Sequence, residues 1–379
     1  MKTDQLHWSE DCGWDRSADP GVADAATVVL VFGGSGVLRD PDRLIEVAAS
    51  YPQAELIGCS TSGEIHGTHV SDESIAVTAI EFDYTSVRTA EMVLSESSDS
   101  RQAGRELAAR LADQSLVHVL VFSDGLVVNG SELTRGFVDA LPDGVRLTGG
   151  LAGDGTDFRE TLIISGPRAE PRKVIAMGLY GKRLRVGYGS MGGWDPFGPE
   201  RLITRSRGNL LYELDGRSAL GLYKKYLGEY ADDLPASALL FPLSIRLTVD
   251  EPSVVRTVLS IDESDGSMTF AGDLPEGSYA RLMKANFERL IDGANDAAVA
   301  AFQSTGSTSP DLALLISCVG RKMVLRQRVE EEVESVRTVL GNGTTLSGFY
   351  SYGEIAPNAP GGCCELHNQT MTITTLTEI

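Results

Sequence analysis

The sequence predicts an α/β fold: mixed parallel and antiparallel sheets built on three β-α-β units, with helices outside. Three observations carry that reading. A pattern of Leu-x-Gly, three or four residues, then Gly and an acid occurs three times, from Leu56 to Glu64, Leu147 to Asp154 and Leu346 to Glu354. An apolar run precedes each copy: Val29-Leu30-Val31-Phe32, Val119-Leu120-Val121-Phe122 and Ala313-Leu314-Leu315-Ile316. The interval from each run to its Leu (32 to 56, 122 to 147, 316 to 346) fits one strand-helix-strand unit, which needs about 30 residues.

In order, Met1 to Asp24 is polar and acidic and reads as a loose arm, with Trp8 and Trp14 as docking residues. It has no basic start and no apolar stretch of the kind a secretory signal carries. Val28 to Phe32 is the first buried strand, since strands covered on both faces read as unbroken apolar runs. Pro41 opens a helix with Leu44, Ile45 and Ala48 on one face. Ser74–Phe82 and Thr85–Val93 read as an antiparallel pair joined by Asp83-Tyr84. A helix near Ser100–Ala112 leads into the second unit. After Gly150 come short strands, Thr161–Ser165, Lys173–Leu179, Leu184–Ser190 and Leu202–Arg205, which read as an antiparallel meander. Ser218–Tyr226 reads as a helix, with a domain boundary just before it. More strands follow at Leu239–Leu247, Val254–Ile261 and Ser267–Ala271, then a long helical stretch at Tyr279–Gln303. In the third unit, helix Met323–Leu340 puts Val329, Val333, Val336 and Leu340 inward, with Glu330, Glu331, Glu332 and Glu334 facing water. Thr370–Thr377 closes the chain as a strand. The expected division is an arm at 1–26, a first region at 27–216 and a second at 217–379.

Composition bounds the function. The 379 residues carry a net charge of −20, which disfavours nucleic acid and anionic membranes as partners. No apolar run approaches the roughly 20 residues of a spanning helix. Five cysteines in a chain this long give no disulfide framework and point to a reducing cytoplasm.

Ligands in open α/β sheets bind beyond the carboxyl ends of parallel strands. Three loops lie there: Gly33-Gly34-Ser35-Gly36, Ser123-Asp124-Gly125 and Cys318-Val319-Gly320-Arg321-Lys322. The last sets two cations at a helix start, where an anion is favoured, though without phosphate-loop spacing. The expected pocket is lined by Ser35, Cys59, Ser123, Arg321, Lys322, Tyr350, Tyr352 and Glu354, with Trp194 at its rim. Glu64, Asp154 and Glu354 occupy related places, as turn-formers or ligand-orienting groups. His66 and His69 are too few for a zinc site, and no other metal is expected. His118 reads as a core residue. An enzyme using Cys318 and Arg321 is the rival reading; no catalytic residue is assigned.

Leu56–Ile65, Gly149–Gly155, Gly193–Gly198, Gly208-Asn209 with Glu213–Gly216, Ser317–Lys322, Gly348–Pro357 and Glu365–Thr370 together resemble the FIST proteins, from about Thr27 to the C-terminus. The resemblance implies a cytoplasmic ligand-sensing protein of signal transduction, with an N-terminal and a C-terminal FIST region and small ligands such as amino acids. One group within the family, the NosP proteins, binds haem, senses nitric oxide and modulates a partner histidine kinase. The resemblance therefore implies haem as cofactor, with His367 as axial ligand and Arg321 or Lys322 as propionate partner; the alternative is an amino-acid-like metabolite without haem. No kinase or cyclase segment is read in the sequence, so output is expected through a partner. A homodimer is a candidate assembly.

Overall fold

The structure is a computed structural model describing residues 1–95, 98–234, 236–248, 253–306, 309–358 and 361–379. The three units form as the repeats require. Val28–Gly34 lies parallel to Glu55–Thr61 with Val29 opposite Leu56. Leu116–Ser123 lies parallel to Arg146–Leu151, and Leu312–Cys318 to Thr345–Ser351. Each first strand has an antiparallel neighbour on its other side: Ile75–Glu81, Lys173–Tyr180 and Met371–Glu378 respectively.

The units interlock in a ring. After its second parallel strand each unit crosses into another unit's sheet. Glu64–His66 pairs with Thr345–Ser351, Ile163–Ser165 with Glu55–Thr61, and Gly353–Pro357 with Arg146–Leu151. Backbone bonds close the same circle: Ser62 N donates to Tyr350 O at 2.8 Å, Gly153 N to Ser60 O at 3.0 Å and Tyr352 N to Leu151 O at 3.2 Å. The three sheets thus stand around a common axis with cyclic pseudo-threefold order. Strands from before and after residue 216 share sheets, so neither region completes its own.

Alternation along the parallel strands divides the core. Val28, Leu30 and Phe32 face inward with Leu120, Phe122, Leu314 and Ile316. There Phe32 packs on Phe122 and Phe349 at ring distances of 5.6 and 4.7 Å. The outward residues pack under helices: Val29 and Val31 under Leu44 and Val47, Val119 and Val121 under Leu133 and Phe137, Ala313 and Leu315 under Val333 and Val336.

The repeated glycine has a steric cause. A Cβ on Gly58, Gly149 or Gly348 would lie 1.8, 1.9 and 1.8 Å from the carbonyl oxygens of Val31, Val121 and Leu315. No other residue fits that approach.

Several expectations are corrected. The N-terminal residues are not a loose arm: Lys2–Ser9 is a strand on Ile75–Glu81, with Leu6 buried. Ile75–Glu81 and Ser86–Val93 are not a hairpin, because the second joins Lys173–Tyr180 in another sheet. The expected meander is dispersed: Ile163–Ser165, Lys173–Tyr180 and Leu184–Met191 enter three different sheets. Tyr279–Lys284 is a strand, and the helix begins only at Phe287, capped by the Asn286 side chain. The helix expected from Met323 is two helices, Val319–Leu325 and Val329–Leu340, broken at Arg326 with φ +52°.

A fourth sheet, built from strands between residues 195 and 284, lies beside the ring. It has its own core around Leu211, Tyr223, Phe241 and Phe270.

Candidate functional site

The carboxyl ends of the second and third units' first strands meet the fourth sheet at a cavity of about 780 Å³. The loop after Ser123 supplies Leu126, Val127 and Val128; the third unit supplies Cys318, Val319 and Met323; the fourth sheet and the link before one of its strands supply Leu259, Phe270 and Thr257. Tyr352 and Phe158 complete one side, stacked at 4.6 Å and 12°. Its surface is mainly apolar with a few polar groups, as small-molecule sites are.

Asp154 builds that side. Its carboxylate accepts the backbone N–H groups of Phe158, Arg159 and Glu160 at 3.0, 2.7 and 2.9 Å, and the Tyr352 hydroxyl. Phe158 is thereby held at φ +52°, a conformation costly for a bulky side chain and concentrated at functional sites. Asp124 shapes the facing loop by accepting Leu126 N and Val127 N at 2.8 and 2.9 Å.

The other repeated acids do a different job. Glu64 accepts the hydroxyls of Thr61 and Ser74 and the Ser74 N–H; Glu354 accepts those of Ser351 and Thr370 and the Thr370 N–H. Each ties the end of the second strand to the start of the closing strand. Burial pushes Glu64 up to about 7 and Glu354 up to about 8.

The expected pocket residues divide into three places. Tyr352 lines the cavity. Ser35 and Lys322 line a second, polar cleft of about 750 Å³. The others are buried on protein partners. Arg321, with no exposed surface, binds Glu332 at 2.7 Å and Leu290 O at 2.7 Å. Tyr350 donates to Glu332 at 2.6 Å. Cys59 sits in the central core, Ser123 donates to Asp124 O at 3.2 Å, and Trp194 donates to Gln369 O at 2.9 Å. Glu332 was expected in water; it lies instead on the same face as Val329 and Val333 and neutralises Arg321.

His367 is buried, and its Nε2 lies 3.1 Å from Ala356 O. Burial pushes its pKa down to about 4, and it does not line the cavity, so it does not fit an axial role there. His118 is a core residue as expected, 2.8 Å from the Thr148 hydroxyl. Cys318 is buried with its thiol pushed up by desolvation, the reverse of what a nucleophile needs. Among the described residues no cluster of three metal-ligating side chains occurs, and no helix is long and apolar enough to cross a membrane.

Sequence reasoning missed the fourth sheet's contribution and the loop from Leu126 to Val128. The available signal was three consecutive apolar residues directly after a strand-end turn, where a solvent loop would be polar.

Among known proteins, the chain is 25% identical over 368 residues to an uncharacterised protein of Mycobacterium tuberculosis, covering 92% of this chain and 90% of the relative. It is 22% identical over 320 residues to an uncharacterised protein of Methanocaldococcus jannaschii, covering 75% of this chain and 58% of that longer relative. A solved structure, a cyanuric acid hydrolase from A. caulinodans, aligns over 100% of this chain and 99% of its own at TM-score 0.37 and 10% identity, too distant to carry an inference. The FIST N domain matches residues 27–217 and the FIST C domain residues 219–357. The chain therefore belongs to the FIST family of sensory signal-transduction proteins.

Proposed function

We propose that this protein senses a small molecule of largely apolar body, bound without turnover in the cavity between the fourth sheet and the strand ends of the second and third units. The observation that carries this reading is the cavity itself: large, apolar, and walled by segments far apart in sequence. A ligand there bridges the loop at Leu126, the third unit at Val319 and the fourth sheet at Leu259, so binding draws three elements together. That gives occupancy a mechanical consequence, as signalling requires. The signal passes to a partner, for which the family resemblance suggests a histidine kinase.

Haem with nitric oxide as its gas ligand is the finer form suggested by the same resemblance. In support, Met323 on the cavity wall carries a thioether, one of the axial donors haem proteins use. The test is a haemin titration followed by visible spectrum, on wild type, His367→Ala and Leu126→Trp, the last plugging the mouth. Haem in this cavity gives a shifted Soret band in wild type and His367→Ala and loses it in Leu126→Trp. A free-haemin spectrum throughout removes haem and leaves the metabolite sensor. A band lost in His367→Ala alone places haem elsewhere.

A further inference from the structure

The apolar cavity and the polar cleft share Thr156, Val319 and Met323. Thr156 is exposed and Met323 half-buried, unbranched and rotatable, so the two spaces meet over a low, adjustable rim. Beyond that rim the cleft carries Arg39, Arg159, Lys322 and Arg326. Arg39 is engaged by Glu160, and Lys322 by Asp72 and by Ser62 O at 2.8 Å. The Arg159 and Arg326 side chains have no hydrogen-bond or ion-pair partner among the described residues. In a chain with 53 acidic and 33 basic residues, two unpaired guanidinium groups in one cleft call for a partner.

The cleft's acids are placed differently. Asp154 is saturated by the Phe158 loop, and Asp72 pairs with Lys322. The Glu73 carboxylate lies against Gly34 and Gly36. Asp157, next to Thr156 at the rim, has no side-chain partner among the described residues. Backbone strain gathers here too: Glu73, Phe158 and Arg326 are three of the six non-glycine residues with positive φ among the described residues.

We infer that cavity and cleft form one site for an acidic amphiphile, with its apolar body in the cavity and its carboxylate or phosphate head between Arg159 and Arg326. This rests on the cavity reading above and adds the head group. Guanidinium is suited to both heads through paired N–H donors.

The test uses decanoate and its neutral counterpart decanol, titrated calorimetrically into the whole protein. Decanol is the more apolar, so a nonspecific site favours it. The expected result is decanoate binding about tenfold tighter, the scale of a hydrogen-bonded charge. Arg159→Gln/Arg326→Gln, both exposed, should erase that preference and leave decanol binding unchanged; Asp157→Asn should enlarge it. Equal binding of the two probes, or a preference that survives the double variant, overturns the head-group claim while decanol binding upholds the cavity. Failure of both probes to bind overturns the cavity reading and this one with it.

Discussion

At the residue scale, burial decides what each polar group does. Glu64 and Glu354 are carboxyls held well above their ordinary value of 4.5. The folded state therefore binds more protons than the unfolded state between pH 4.5 and about 7 to 8. Stability from these two groups is greatest below that window and falls as pH rises through it. Glu64→Gln/Glu354→Gln keeps the side-chain shape and one acceptor oxygen of each group and removes the titration. Thermal melts from pH 5 to 8 should fall more steeply for wild type than for this variant; parallel curves would mean that neither group is protonated in the fold. Arg321 makes the complementary case. Arg321→Met strands Glu332 without a counter-charge and should cost about 3–5 kcal/mol by urea denaturation. Arg321→Met/Glu332→Gln should recover much of that loss, and a double variant no more stable than the single would contradict the pairing. The sequence showed Arg321 as a cation at a strand end. It did not show that Glu332, eleven residues on, turns inward, because four near-consecutive glutamates look like a solvated face.

At the element scale, the three strand-helix-strand units were legible because their cause is local: a buried strand is apolar throughout, and the crossing needs a glycine against a carbonyl. Gly348→Ala should therefore cost about 3–5 kcal/mol or prevent folding, while Gly343→Ala, with nothing within 4 Å, should stay within about 0.5 kcal/mol. Similar urea midpoints for the two variants would refute the steric reading. What the sequence hid was destination. Asp83-Tyr84 and the short segment 181–183 look like hairpin turns, yet each carries the chain round a corner into another sheet. Strand pairing is a long-range property, and two adjacent strands of good pattern do not declare which neighbour they join. The helix break at Arg326 was equally hidden, since Met323–Leu340 keeps helical spacing across it.

At the scale of the whole molecule, the interlocked ring explains why the site residues scatter along the chain. Each unit's strand ends point to a place finished by another segment, so Leu126, Phe158, Leu259, Val319 and Tyr352 converge only after every sheet has closed. The sequence offered good reason to look beyond strand ends, and Tyr352, Ser35 and Lys322 do reach the two spaces there. It gave none to include the fourth sheet, whose contribution depends on where that sheet docks. Amide hydrogen exchange with and without saturating decanol tests this account most directly. The account predicts slowed exchange confined to the loop at 125–130, the Phe158 loop, the segment at 257–259 and the helix start at 318–323. Unchanged exchange in those segments, or protection centred on the groove lined by Arg135, Arg246 and Glu365 instead, would contradict it.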